Sequence, residues 1–234
     1  MNDPTFDRFA SQYNDALQTG LSVSGETSDF FAESRLRYLS NRIQENHFTV
    51  RRALDFGCGI GSTTRGFFSY FELDYCAGVD PSSESINIAK KSRQKVDASN
   101  DCEVEYFYLK DFLPSEQFDL VYCNGVFHHI GLDDRGEAMT IIYESLKSGG
   151  VFAFWENNPY SLPARYVMSR IPFDQDALMV WPSHAREMIR GVGFKPILTE
   201  YRFIFPRFIR WMRWSENLVC KLPIGAQYLV LAVK

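Results

Sequence analysis

Between Arg51 and Glu156, short and nearly uninterrupted apolar runs alternate with helical segments, and this rhythm leaves few folds open. The runs RRALDFG, YCAGVD, EVEYFYL, FDLVYCN and GVFAFWE are each six or seven residues long. Strands that are apolar on both sides must be covered on both sides, so they read as a parallel sheet packed between helices. The intervening segments fit that reading. STTRGFFSYF is helix-like, and SSESINIAKKSRQK has Ser82 or Ser83 as a plausible N-cap. DDRGEAMTIIYESLKSGG places Ala138, Ile141, Ile142 and Leu146 on one face, with Asp133 at its start and Lys147 and Gly149 at its end. The expected architecture is a doubly wound α/β fold.

The flanks extend this core within one domain. Phe6, Phe9, Ala10, Tyr13 and Leu17 recur at helical spacing after Asp3-Pro4, and a second helical run covers about 29–44, so residues 1–48 read as an N-terminal helical cap. Residues 49–156 form the core. The proline-punctuated stretch 157–182 has no clean period and reads as a cap insert after the fifth strand. Residues 183–234 supply a helix from about Ser183 to Val192 and two further β-like runs, PILTEYRFIF and AQYLVLAVK. The aromatic and basic segment 206–221 between them reads as a helix packed on the sheet end. A wall of the acceptor site and a membrane-surface contact through Phe208, Trp211, Met212, Trp214 and Leu218 are its other readings.

Composition narrows the class. The 234 residues are 45% hydrophobic, enough for a sizeable core, and the net charge of -4 gives no electrostatic reason to expect a polyanionic partner such as nucleic acid. MNDPTFDRFASQY has no basic start and no apolar core, and no run approaches a membrane span, so the expected location is the cytoplasm. Cys58, Cys76, Cys102, Cys123 and Cys220 form no C-x-x-C pair and read as reduced thiols. The four histidines show no metal-ligand spacing, so no metal is expected. Nothing in the sequence fixes an oligomeric state.

LDFGCGIGSTT sets Gly57, Gly59 and Gly61 between the first strand and a helix, where a backbone without Cβ atoms can turn sharply and admit a ligand. Asp80 ends the second strand 19 positions after Gly61, placed to accept hydrogen bonds from ribose hydroxyls. The dinucleotide fingerprint requires a last glycine where Ser62 stands. Asp55, two positions before Gly57, would repel a pyrophosphate and attract a cationic group. The pattern favours a nucleoside cofactor with a positive end and no phosphates.

Together, LDFGCGIGSTT, GVDPS, LKDF, FDLVYCNGVFHHI and LKSGGVFAFWE resemble, in order and spacing, the class I S-adenosylmethionine-dependent methyltransferases of the small-molecule type. The resemblance is close over roughly residues 50–156. It implies a seven-stranded, mostly parallel sheet with a reversed C-terminal hairpin, and S-adenosylmethionine as cofactor. It further implies that Asp55, Gly57, Cys58, Gly59 and Gly61 contact the methionine portion, that Asp80 holds the ribose, and that Pro81 and Ser82 lie beside the adenine. Asp111 and Phe112 would sit at the adenine edge, Asn124 and Gly125 would offer backbone groups to the cofactor's amino end, and Tyr13 would close over it.

One tetrad points elsewhere. Asn157-Asn158-Pro159-Tyr160 looks like the motif with which some nucleic-acid methyltransferases grip an exocyclic amine, but in those enzymes it follows the fourth strand. Here the fourth strand runs into NGVFHHI and the tetrad follows the fifth, so Pro159 reads as a turn out of the sheet. His129, His128 and Glu156 are the candidates for removing a proton from the acceptor or orienting it. The expected function is methyl transfer to oxygen or nitrogen of a small molecule, such as a sugar or other metabolite. A nicotinamide-dependent oxidoreductase and a catalytically silent cofactor-binding protein are the alternatives.

Overall fold

The structure is a computed structural model that describes residues 18–93, 103–174 and 177–234. The expected first helix and Tyr13 lie outside these residues. Seven strands form one sheet: β1 Arg52–Phe56, β2 Tyr75–Asp80, β3 Glu103–Tyr108, β4 Phe118–Asn124, β5 Leu146–Asn157, β6 Lys195–Arg202 and β7 Gln227–Val233. Their order is β3-β2-β1-β4-β5-β7-β6. The first five are parallel, and β7 runs antiparallel to both β5 and β6. The doubly wound α/β architecture and the reversed hairpin are therefore as expected. The strand order reverses between β1 and β4, and a crevice at such a point is where open α/β sheets take their ligands.

Period-two alternation sorts each strand between two cores. Leu54, Phe56, Phe152 and Phe154 pack under helices α4 (Arg135–Ser145) and α6 (Pro182–Gly191), through Ala138, Met139, Ile142, Ala185 and Ile189. Ala53, Tyr122, Ala153 and Trp155 face α1 (Ser28–Glu45), which contributes Leu36, Leu39 and Ile43. Burying a leucine such as Leu39 stabilises the fold by about 2 kcal/mol, enough for a few such residues to hold a helix on the sheet. α1 starts where Thr27 accepts a bond from the Phe30 N–H. The remaining longer segments are α2 (Ser62–Gly66), α3 (Ser83–Arg93), which packs on β3 through Ile86 and Ala89 against Val104 and Tyr106, and α5 (Leu162–Ser169). Ser82 caps α3 by accepting from the Ser85 N–H, which selects it from the two expected caps.

Three local expectations are corrected. α4 stops at Ser145, so Lys147 and Gly149 do not end it. Leu146 instead opens β5, fully buried opposite Phe118, and Lys147 reaches Asp119 at 2.7 Å. Gly149 makes its turn inside the strand at φ 77°, where its N–H donates to the Lys234 carbonyl. After β1 the helical segment is only one turn of α-helix followed by a 3-10 turn, Phe67–Ser69. The segment after Pro206 does not bury its aromatic face: Phe208, Trp211, Trp214 and Leu218 are 71–80% exposed on a 3-10 helix, Arg207–Ser215, and the short helix α7, Glu216–Val219. Among the described residues no helix is long and apolar enough to cross a membrane.

Candidate active site

The glycine turn is held to the sheet by its own backbone. The Gly57 and Cys58 N–H groups both donate to the Val79 carbonyl of β2, and the Gly61 N–H donates back to Cys58. Gly57, Gly59 and Gly61 all have positive φ, the region that L side chains rarely adopt. Their surroundings differ. A Cβ on Gly57 would lie 2.2 Å from Val126 Cγ2 and one on Gly61 would lie 2.6 Å from the Tyr106 hydroxyl, whereas one on Gly59 would meet nothing within 4 Å. Gly57 and Gly61 therefore serve packing, and Gly59 faces space that no described residue fills. Gly57→Ala is expected to cost more than about 2 kcal/mol of stability. Gly59→Ala should cost only about 1 kcal/mol and act mainly on the cofactor, a contrast that thermal unfolding and ligand titration of both variants would read.

Asp80 ties two loops together. Its Oδ2 accepts from the Gly59 N–H at 2.8 Å and its Oδ1 from the Ser82 N–H at 2.9 Å. A carboxylate accepts several hydrogen bonds at once, so shaping the loop does not by itself bar the group from receiving a ligand hydroxyl. Asp55 lies on the α1 side of β1, 2% exposed, where its Oδ2 accepts from the Thr64 hydroxyl at 2.7 Å. Burial pushes its carboxyl up to about 7, the Asp80 charge adds to the rise, and the Thr64 bond and the Arg35 guanidinium oppose it. Asp80 thus borders Gly59, and Asp55 lies near enough to it for the two charges to interact. A buried anion held near its titration point is poised to be ionised by a cationic neighbour.

The other expected cofactor positions stand in the turn itself or at the ends of β2, β3 and β4. Cys58 is buried against it, Ser82 is buried at the start of α3, and Pro81 is half-buried beside it. Phe112 is buried against Phe107 after β3, while Asp111 is exposed. At the end of β4 the Gly125 N–H is taken by the Trp155 carbonyl, so Gly125 does not offer that group to a ligand. The buried Asn124 side-chain oxygen has no hydrogen-bond partner among the described residues. An orphaned polar atom here, the open cradle at Gly59 and the paired carboxylates fit a phosphate-free nucleoside with a cationic end.

Beyond Gly125, β4, β5 and the insert bring together the second group. His128 Nδ1 lies 2.6 Å from Glu156 Oε2, and Glu156 Oε1 accepts from the N–H groups of Phe127 and His128. Asp174 reaches in from the insert, its Oδ1 3.5 Å from His128 Nε2 and 3.2 Å from His129 Nε2. The insert is pinned in place by the Leu178 N–H on the His128 carbonyl and by Arg135 on the Leu178 carbonyl. Burial acts to lower His128, but Glu156 and Asp174 outweigh it and raise the ring to about 10. Burial and the His128 charge depress His129, with Asp174 opposing. The two histidines and Glu156, all expected at this end, are therefore in one cluster. Glu156 binds the His128 ring and the backbone N–H groups of Phe127 and His128. Asp174 was not anticipated: 45 residues separate it from His129, and only the folded insert joins them.

The tetrad after β5 has a structural job. Asn158 is fully buried, its amide donates to the carbonyls of Pro223 and Gly225, and its N–H donates to that of Ala226. It fastens the end of β5 to the loop that leads into β7. Tyr160 is exposed and packs edge-on against Trp181. None of this resembles a grip on a nucleobase.

Comparison with known proteins agrees with the geometry. Residues 54–152 match the family described as "Methyltransferase domain". A trans-aconitate 2-methyltransferase of Rhizobium rhizogenes is 27% identical over 143 residues, 59% of this chain and 51% of the relative, so the chain spans about half the length of the curated relatives it matches. A S-adenosylmethionine-dependent methyltransferase from Mesorhizobium loti superposes with a TM-score of 0.56 at 20% identity, covering 80% of this chain and 92% of that one. Phosphoethanolamine N-methyltransferase 2 of Haemonchus contortus, solved with S-adenosyl-L-methionine, gives a TM-score of 0.57 at 20% identity, covering 93% of this chain and 60% of that one. Residues 54–152 thus match a methyltransferase domain, and the seven-stranded topology is that of the class I S-adenosylmethionine-dependent methyltransferase fold.

Proposed function

We propose that the protein transfers the methyl group of S-adenosylmethionine to a small-molecule acceptor held between the glycine turn and the His128–His129–Asp174 cluster. The observation that carries this reading is the space over Gly59, which no described residue fills, with the Asp80 carboxylate on the Gly59 N–H and the buried Asp55 carboxylate interacting with it. The bound cofactor supplies an electrophilic methyl group on sulfur. The protein's task is then mainly positioning, because in-line displacement needs acceptor and methyl aligned at about 3–3.5 Å. Asp55 and Asn124 suit the charged amino-acid end, Asp80 the ribose, and Ser82 with Phe112 the base. Glu156 fixes His128, and His129, the less buried of the two rings, presents the cluster to the acceptor.

A small acceptor is favoured by the insert, whose Leu178 is bonded to the His128 carbonyl of the β4 loop and to Arg135. The trans-aconitate methyltransferase relatives are named for a small organic acid, which makes hydroxy- and carboxylic acids the first acceptors to try. The test is transfer of label from methyl-labelled S-adenosylmethionine to a panel of small acids, alcohols, sugars and amines. Label in at least one acceptor, abolished in Asp80→Ala, is the expected result. No transfer to any acceptor, together with no binding of S-adenosylhomocysteine, would overturn the proposal.

A further inference from the structure

We infer that His128, His129 and Asp174 form a two-histidine, one-carboxylate site for a divalent first-row cation of the zinc type, at the acceptor end of the pocket. One donor atom from each residue lies within 4.8 Å of the other two. His128 and Asp174 are almost fully buried, and His129 nearly so. The spacing suits ligands of one ion and is longer than the tight bond within the same cluster. Where this cluster makes a direct charge-assisted bond, from His128 to Glu156, the separation is 2.6 Å. The same Asp174 oxygen stands farther off, 3.2 and 3.5 Å from the two Nε2 atoms. Direct charge-assisted bonds are about 2.7–2.9 Å long. Two ligands each about 2.1 Å from one metal, at tetrahedral or octahedral angles, stand roughly 3.0–3.4 Å apart.

Glu156 supplies the second, independent feature. Metal-bound histidines commonly hand their other ring nitrogen to a carboxylate, which fixes the ring and makes it a better donor. Glu156 holds His128 by Nδ1 and leaves Nε2 turned to Asp174, and its other oxygen is anchored by two backbone N–H groups. Imidazole and carboxylate ligands in this ratio suit zinc and its neighbours, with coordination positions left for other donors. Those positions would take oxygen atoms of the acceptor, which makes a hydroxy or carboxylic acid the acceptor class. That last step rests on the methyl-transfer reading, whereas binding of the cation does not.

The experiment is titration of tag-free, chelator-treated protein with Co2+, read by its visible absorption, followed by displacement with Zn2+. One Co2+ per chain is expected, with affinity at least tenfold lower in Asp174→Asn and His129→Ala and about 10–100-fold lower in Glu156→Gln. Thermal unfolding of each variant checks that it folds, and Asp174→Asn keeps the shape if a larger change does not. Absence of a stoichiometric Co2+ site in the wild type, or equal affinity in wild type and a folded Asp174→Asn, would overturn the site. The same samples are titrated with S-adenosylhomocysteine. Cation binding without nucleoside binding would defeat the methyltransferase reading alone, and nucleoside binding without cation binding would defeat this site alone.

Discussion

Asp80→Ala is expected to lower affinity for S-adenosylhomocysteine by at least 100-fold. The substitution removes the acceptor of two backbone bonds, from Gly59 and Ser82, as well as the group proposed to meet the ribose. Hydrogen bonds to a charged partner contribute about 1.5–3 kcal/mol each, and 2.7 kcal/mol is already a factor of about 100. The glycine turn keeps its ties to Val79, so the variant should still fold, with stability reduced by about 1–3 kcal/mol. Calorimetric titration and thermal unfolding separate these effects. Affinity within threefold of the wild type would remove Asp80 from the cofactor site.

Asp55→Asn should move stability and binding in opposite directions. An ordinary aspartate titrates near 3.9, and burial holds Asp55 at about 7 in the folded protein. The native state therefore binds this proton more tightly than the unfolded chain does. Its contribution to stability is full below about pH 4 and is lost as pH rises through about 7. Asparagine cannot ionise, so the variant escapes that loss: it should gain about 1–2 kcal/mol at pH 8 relative to wild type, roughly 2–8 °C in Tm, and less at pH 5. It also loses the anion that favours a cationic ligand end, and S-adenosylhomocysteine affinity should fall about 10–100-fold. In the wild type, affinity should rise between about pH 6 and pH 8 as Asp55 ionises. A variant no more stable at pH 8, or binding as tightly as wild type, would contradict this account.

The fold was largely legible because buried parallel strands write themselves as unbroken apolar runs. FDLVYCN and YCAGVD coincide with β4 and β2 residue for residue. The error at Leu146 shows where that legibility stops. A leucine with helical spacing to Ile142 fits either the end of a helix or the start of a strand, and pairing with Phe118 decided it. The aromatic segment at Phe208 misled for a related reason: composition shows that side chains are apolar, not that anything lies against them. Candidates for the cofactor end could be named from the sequence because Asp55, the glycines and Asp80 are set at strand ends in fixed local spacing. The acceptor end was only half readable. His128, His129 and Glu156 stand at strand ends, but Asp174 comes from an insert with no period and Asn158 acts through loops far along the chain.

The glycine turn and its two carboxylates can be tested in a single comparison, the calorimetric titration of the wild-type protein with S-adenosylhomocysteine and, separately, with NADH. The account predicts one site for the sulfur nucleoside, weakened in both Asp55→Asn and Asp80→Ala, and no binding of the dinucleotide. Saturable binding of NADH with none of S-adenosylhomocysteine would contradict it.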